Sequence, residues 1–495
     1  MNKKLSRISI VGAGLVGSLL AIYLKKRGYE VSVFERRFDM RSKMLGGGRS
    51  INMALSNRGL RALHEVGLDS HLRKNAVPMN GRMMHDVYGN LTFQAYGKQG
   101  QFINSISRSD LNMLLMNEAE HLGVNFFFEH KCLEVNLQKT ELTFQHYGDV
   151  IHRQSDLIIG ADGAFSAVRG ALQTSDRFEY SQTYIEHGYK ELRIPASDTG
   201  AFQMEKEALH IWPRESYMLI ALPNPDATFT CTLFFPFEGS PSFQKLNSPE
   251  KIHSFFESSF PDATRLMPTL IEDFRDNPTS SLVTVRCFPW HRNRTLLIGD
   301  AAHGIVPFYG QGMNAGFEDC RVLNDLLNSY DDDWDQLLPM FEKLRKPNAD
   351  AIAQLALDNF VEMRDLVGDP DFLLQKKIEG KLHQQYPDRW IPLYSMVTFY
   401  DNLSYDDALR IGNQQKEIMA KVMLTPSIET TWESLDFKAI VDQLCAKALV
   451  WVEAISCAKF FCRCRHQLHQ ADCPGPAFCI RLEIGLLINH RSQQP

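Results

Sequence analysis

Residues 6–35 read SRISIVGAGLVGSLLAIYLKKRGYEVSVFE, and this stretch decides the fold. Ser6 to Val11 is a short, β-branched apolar run of the kind that forms a buried parallel strand. Leu15 to Lys26 follows as a helix and Glu30 to Glu35 as a second strand, which makes one βαβ unit. Between the first strand and the helix stand Gly12, Gly14 and Gly17. At that spacing the first glycine permits the tight turn, the second lets a pyrophosphate approach the backbone, and the third lets helix and strand pack closely. The helix N-terminus offers free N–H groups to phosphate. Glu35, about twenty residues on, stands where an acid accepts ribose hydroxyls. The stretch predicts a dinucleotide site without distinguishing NAD from FAD.

The rest of the chain is ordinary globular material: 495 residues, 44% hydrophobic and 23% charged, with formal net charge −6. That excludes a mainly disordered, collagenous or coiled-coil protein. It gives no global case for nucleic acid or an anionic membrane. Lys3, Lys4 and Arg7 ahead of the uncharged run from Ile8 to Leu24 imitate a secretory signal, but the three glycines interrupt it and no small-residue cleavage site follows. No other run reaches the roughly 18 apolar residues of a spanning helix. The expectation is a cytoplasmic monomer or homodimer with reduced thiols and no membrane span.

Further along, Leu55 to His64 and Arg108 to Leu122 read as helices, and Asn125 to Phe128, Glu141 to Tyr147 and Asp156 to Gly160 as strands. From Phe178 to about Pro278, alternating and aromatic-rich runs divided by prolines predict an antiparallel sheet. Thr295 to Ile298 is a buried strand again, and Asn314 to Leu327 a helix. Pro339–Asp365, Phe372–Tyr386 and Tyr405–Met423 are helical by period, and Lys438–Ala448 ends the well-patterned part. The fold class is α/β, a Rossmann-like domain with an antiparallel-sheet domain and an α-helical C-terminal region.

Two later segments select the cofactor. Asp156 to Arg169 reads DLIIGADGAFSAVR, a strand ending in Asp162-Gly163, and Thr295 to Asp319 reads TLLIGDAAHGIVPFYGQGMNAGFED, a strand ending in Gly299-Asp300. Both carboxylates stand at the carboxyl end of a strand, where open α/β sheets bind ligands. With these segments the chain resembles the FAD-dependent aromatic hydroxylases. The resemblance implies that Asp300 bonds the ribityl chain, that the Asp162 segment serves FAD and nicotinamide, and that the turn at Gly310 to Asn314 lies under the isoalloxazine. It also implies FAD contacts at Val16, Arg36, Arg37, Ala54, Arg108, Leu133, Gly312 and Met313. A helix starting near Met313 directs its positive end at the flavin pyrimidine. His303 in the same segment reads as helix-start packing rather than an acid–base group. A second GxGxxG in strand–helix context is absent, which argues against the two-dinucleotide reductases, and the Trp-rich signature of the flavin halogenases is missing too.

Within those hydroxylases, GGRSINMALSNRGLRAL (Gly47–Leu63), GRMMHD (Gly81–Asp86), YSQTYIEHGYKEL (Tyr180–Leu192), LHIWPRE (Leu209–Glu215), the run Phe308–Cys320, LDNFVEMRD (Leu357–Asp365) and PLYSMVTF (Pro392–Phe399) resemble the kynurenine 3-monooxygenases. The similarity extends from Ile8 to about Ala448. It implies NADPH- and FAD-dependent conversion of L-kynurenine and O2 to 3-hydroxy-L-kynurenine through a C4a-hydroperoxyflavin, in tryptophan degradation and quinolinate (NAD precursor) synthesis. Arg82 and Tyr96 are implied to hold the substrate carboxylate, a task that suits a planar guanidinium fork. Asn359 and Tyr394 match further substrate contacts. Glu362 and Met363 share a helix face with Asn359 by their spacing. Pro307, Phe308 and Gln311 are expected to shape the pocket, with Phe234 a further candidate, and no catalytic side chain is required.

Two alternatives stay open: a flavin hydroxylase of another aromatic acid, and a non-catalytic carrier built on a flavoprotein fold. On either enzyme reading, residues 1–68, 102–177 and 279–345 form the FAD-binding domain. Residues 69–101 and 178–278 form the substrate-binding sheet domain, 346–448 the helical region and 449–495 a tail. Of ten cysteines, Cys457, Cys462, Cys464, Cys473 and Cys479 crowd that tail; Cys462, Cys464, His466, His469 and Cys473 fit no common zinc spacing, and no metal is expected. Deletion of the tail is expected to leave flavin content and activity intact.

Overall fold

The computed structural model describes residues 6–42, 52–68, 72, 75–98, 100–363 and 369–444. Its first layer is a six-stranded sheet in the order 291–292, 295–297, 157–160, 7–11, 30–34 and 125–127. All neighbours run parallel except the short pair 291–292 and 295–297. Ile8 sits between Leu157 and Val31 in register, and each of these side chains is buried. Strands covered on both faces carry continuous apolar runs for this reason. Helix Leu15–Lys26 follows the first strand and packs against helices Arg108–His121 and Gly312–Ser329. Ser107 caps the second of these by accepting from Asp110 N.

The second layer is a seven-stranded sheet in the order 280–288, 179–194, 229–236, 217–223, 208–214, 81–85 and 91–95. Successive side chains along its strands point to opposite sides, which gives the sheet two working faces. His210, Trp212, Phe229 and Phe235 pack toward the helices Pro249–Ser259 and Leu270–Asp276, forming a core with Phe256 and Phe260. Leu209, Ile211, Met218, Ile220 and Phe234 point the opposite way, into a cavity between the two layers. Helices Trp334–Val361, Leu393–Phe399 and Tyr405–Val422 close that cavity from the C-terminal side.

Several boundaries differ from those expected, each for a tertiary reason. Ser280–Phe288 pairs with Glu179–Tyr189 in the second sheet, so that sheet continues past the boundary expected at 278. Asn52–Leu55 is a strand, and the helix begins at Asn57 instead of Leu55, because Asn52–Leu55 pairs with Asn104–Ser107. The helix expected from Pro339 starts at Trp334, where Asp333 supplies the N-cap, and both Pro339 and Pro347 lie inside it. It is α-helical to Val361 and passes into a π turn at 362–363, and the last two residues of the expected span lie outside the described residues. At 438–448, where the regular patterning ends, Phe437–Asp442 is a short helix; residues 445–448 and the cysteine-rich tail lie outside the described residues. No helix among the described residues is long and apolar enough to cross a membrane. Nor do the described residues contain a His/Cys/Asp/Glu group that could hold a metal ion.

Candidate active site

A cavity of about 650 Å³ runs from the glycine turn to the second sheet. At its nucleotide end each glycine has a distinct steric reason. Gly12 sits at φ +108°, and a Cβ there would stand 2.4 Å from Ala161 O. A Cβ on Gly17 would lie 2.0 Å from Gly12 O, so only glycine lets the helix close on the strand. Around Gly14 nothing lies within 4 Å, and it faces the cavity, which leaves the backbone open to a phosphate. Glu35 accepts from Ala13 N at 3.0 Å and from Arg37 N at 3.0 Å, which fixes its carboxylate against the turn. Val16, Arg36, Arg37, Ala54 and Arg108 also line this part.

Asp300, also on the lining, is exposed, and its carboxylate accepts no hydrogen bond from the described residues. The turn that presents it depends on Gly299 at φ +60°, where a Cβ would crowd Val16. Asp319 holds the turn: its carboxylate accepts from Gly299 N at 3.1 Å, from His303 Nε2 at 2.5 Å and from Arg345 Nε at 2.6 Å. Arg345 also meets Glu318 at 2.6 Å, and Glu318 meets Arg58 at 2.7 Å, which completes a buried ionic chain. Burial opposes the Glu318 charge, yet Arg58, Arg345 and Arg321 outweigh it and hold the carboxyl down at about 2. His303 is therefore a buried partner of Asp319 outside the cavity lining, in line with a packing role. Asp162 lines the cavity as well, but its carboxylate accepts from Ser166 Oγ at 2.5 Å and Ala167 N at 2.7 Å, so it caps helix Ala167–Gln173.

At the far end Arg82 projects from strand Gly81–His85 with its Cζ 4.6 Å from the Tyr394 ring and 5.6 Å from that of Tyr96. Tyr394 stacks on Tyr96 at 5.3 Å and on Tyr309 at 5.6 Å. No carboxylate of the described residues pairs with Arg82, and its buried Nε and the buried Tyr96 hydroxyl have no hydrogen-bond partner. Burial works against the guanidinium charge, but Tyr394, Tyr96 and Glu362 more than offset it and keep the group above its ordinary value. Burial pushes the Tyr96 and Tyr309 phenols well up, so both stay protonated donors. A cation and a phenolic donor left without hydrogen-bond partners in a buried site form a receptor for an anion. Phe308, packed at 5.0 Å from Phe234 and 4.3 Å from Phe360, forms the apolar wall beside it.

The family model for an FAD binding domain matches residues 6–356. Kynurenine 3-monooxygenase of Christiangramia forsetii is 49% identical over 89% of this chain and 99% of its own length. That of Myxococcus xanthus is 50% identical over 82% of this chain and 88% of its own, and that of Dictyostelium discoideum 43% identical over 89% and 98%. The chain belongs to the kynurenine 3-monooxygenase family. Among solved structures, 2-methyl-3-hydroxypyridine-5-carboxylic acid oxygenase superposes with TM-score 0.60 at 22% identity, covering 74% of this chain and 95% of that one. Pseudomonas aeruginosa PqsL in complex with 2-aminobenzoylacetate gives 0.59 at 18%, covering 73% and 97%. They share the fold. FAD is the cofactor of this kynurenine 3-monooxygenase family member, and the open face at Gly14, the unpartnered Asp300 and the free N–H groups at the start of helix Gly312–Ser329 fit it.

Not every expected contact of this family member lies on the cavity. Arg82, Tyr394, Met363, Pro307, Phe308, Gly312, Met313 and Phe234 line it. Leu133 does not: it is half exposed and is skipped in the pairing with the neighbouring strand, where Cys132 faces Phe144 and Glu134 faces Thr143, while Lys131 and Cys132 line the cavity. Gln311 is buried behind the wall, its amide oxygen accepting from Tyr405 OH at 2.9 Å. The Asn314 side chain is fully used, donating to Ala54 O and Gly310 O at 2.8 Å each and accepting from Ser56 N at 3.0 Å, so only its backbone is free for a cofactor. Asn359 donates to Phe308 O at 2.7 Å and buttresses the wall from behind. Glu362 is partly exposed and lies 3.8 Å from Lys376, off the lining. Tyr96 reaches the site through its stacking on Tyr394. Tyr309, Lys131 and Cys132 line the cavity unanticipated. For Tyr309 the signal was present in its position between Phe308 and the glycine turn.

Proposed function

We propose that the chain hydroxylates L-kynurenine to 3-hydroxy-L-kynurenine with NADPH and O2 as co-substrates. The observation that carries the reading is the unpaired Arg82 framed by Tyr96, Tyr394 and Tyr309 at the end of the cavity away from the glycine turn. An aromatic amino acid suits that arrangement, its carboxylate on Arg82 and its ring along the apolar wall of Phe308, Phe234, Ile220 and Met218.

Bound FAD supplies the redox chemistry, taking a hydride from NADPH and activating O2 toward the ring. The chain's residues do the rest. Gly12, Gly14 and Glu35 would hold the nucleotide half and Asp300 the ribityl hydroxyls. The N–H groups of Gly312, Met313 and Asn314 offer the positive end of a helix to the flavin pyrimidine. Arg82 fixes the substrate by its carboxylate, with the Tyr96 phenol as an added donor. The apolar wall keeps water from the reacting ring. The thiols of Cys132, Cys231, Cys287 and Cys320 are unpaired, which supports a reducing compartment such as the cytoplasm.

The test is direct. Purified protein should be yellow, kynurenine should accelerate NADPH oxidation, and the product should be one oxygen heavier by mass spectrometry. A yellow protein that ignores kynurenine but responds to a phenolic acid would refute the substrate assignment.

A further inference from the structure

The turn beneath the flavin site and the helix that carries Tyr394 meet on one short stretch, Ser56–Gly59. Helix Leu393–Phe399 ends at Tyr400, and the carbonyls of its last turn have no partners within the helix. Side chains from elsewhere in the fold satisfy them. Arg58 donates Nε to Val397 O at 3.0 Å and a terminal nitrogen to Tyr400 O at 3.2 Å, and it bonds Leu403 O as well. Asn57 donates Nδ2 to Phe399 O at 3.0 Å. A cation at this end also suits the helix dipole. The Arg58 charge is balanced by Glu318 at 2.7 Å and lies 4.0 Å over the Tyr405 ring. Tyr405 in turn bonds Gln311, next to the glycine turn.

The same stretch grips the flavin side. Ser56 N donates to Asn314 Oδ1 at 3.0 Å, while Asn314 Nδ2 ties Ala54 O and Gly310 O. Gly59 packs so tightly here that a Cβ would stand 2.4 Å from Asn314 Oδ1. Helix Asn57–Glu65 thus begins with one side locked to the turn at Gly310–Asn314 and the other capping the helix of Tyr394. A short helical turn with both ends hydrogen-bonded has two fixed faces and little freedom between them.

We propose that Ser56–Gly59 is a rigid coupler between cofactor and substrate, in which Asn57 and Arg58 are positioning residues that set how NADPH electrons are spent. The inference rests on the hydroxylase reading. With kynurenine in place, NADPH, a proton and O2 give NADP⁺, one oxygen in the ring and one water. With the ring out of register, the same two electrons leave on O2 with two protons as H2O2. Moving the helix of Tyr394 relative to the flavin turn shifts flux from the first outcome to the second without removing any group that touches substrate or cofactor.

The experiment compares Asn57→Ala and Arg58→Lys with wild-type enzyme at saturating kynurenine, measuring 3-hydroxykynurenine and H2O2 formed per NADPH consumed. Asn57→Ala deletes one hydrogen bond at a half-buried position. It should fold, retain FAD, and lower product per NADPH at least twofold with H2O2 making up the difference. Arg58→Lys loses the fork that spans three carbonyls and should uncouple more. If Arg58→Lys does not fold, Asn57→Ala alone decides. A purely structural role would lower FAD content or melting temperature while product per NADPH of the loaded enzyme stayed at the wild-type ratio, and that result overturns the proposal. A wild-type enzyme indifferent to kynurenine would overturn the hydroxylase reading instead.

Discussion

Replacing Arg82 by Met separates binding from folding, because its buried Nε has no hydrogen-bond partner and no carboxylate among the described residues forms an ion pair with it. In the ligand-free enzyme its burial is offset by Tyr394 and Tyr96, whose rings lie 4.6 and 5.6 Å away, and by the more distant Glu362 charge. Such cation–π contacts contribute about 1 kcal/mol each, and the desolvation of an unpaired charge opposes them. Arg82→Met should therefore leave the stability of the free enzyme within about 1 kcal/mol of wild type. Substrate binding is a different matter. A buried charge-assisted contact to a carboxylate contributes about 3 kcal/mol when one partner is truncated, which corresponds to roughly a hundredfold in affinity. The variant should retain its flavin spectrum, since Arg82 lies at the opposite end of the cavity from Gly12 and Gly14, while kcat/KM for kynurenine falls by roughly that factor. The assay is kynurenine-dependent NADPH oxidation alongside a urea denaturation curve. Unchanged kcat/KM would refute the carboxylate role, and a loss of several kcal/mol in stability would refute the claim that the charge makes no ion pair before substrate arrives.

Gly14→Ala and Gly17→Ala should behave differently although they share one motif. A methyl at Gly14 meets nothing within 4 Å, so that variant should fold with weakened FAD affinity, whereas a methyl at Gly17 collides with Gly12 O at 2.0 Å and should give colourless, aggregation-prone protein. Asp300→Asn touches no internal hydrogen bond and should keep the melting temperature of the apoprotein while raising the FAD dissociation constant about tenfold or more, by roughly 2 kcal/mol; equilibrium dialysis measures it. His210 is buried against His85 and Glu205 O, and burial leads the causes that depress its pKa to about 4. Above the unfolded-state value both states are neutral; as pH falls from about 6.5 toward 4 only the unfolded chain binds the proton. Stability should therefore decline through that window by up to about 3 kcal/mol, and His210→Gln should flatten this part of the denaturation profile.

The dinucleotide end was legible because its information is local. Gly12, Gly14 and Gly17 act on residues a few positions away or on the neighbouring strand, so spacing alone carries the geometry. The GD and DG segments were equally readable as strand ends. Resemblance supplied Arg82, Tyr96 and Tyr394, which no spacing rule connects, since strand Gly81–His85 and helix Leu393–Phe399 meet only when the second sheet folds against the C-terminal helices. Leu133 and Cys132 show the limit of pattern reading, because the register shift that skips Leu133 is set by pairing with the neighbouring strand and leaves no mark in the spacing of apolar residues. Gln311, Asn314 and Asn359 lie in the expected segments but serve as internal struts. The sequence places a residue beside a site, while the direction of its side chain depends on which backbone groups the fold brings within reach.

The ionic chain of Arg58, Glu318, Asp319, His303 and Arg345 was invisible for a related reason: charges on helical segments read as solvated faces until packing excludes water from them. By itself, then, the sequence determined the βαβ nucleotide fold, the FAD motifs and the family, all of which depend on short-range backbone sterics and strand ends. Only the tertiary structure decided which charges are buried, which amides are struts, and where an unpaired guanidinium waits for an anion. Those properties depend on solvent exclusion and on partners distant in sequence, and neither exists before the layers pack.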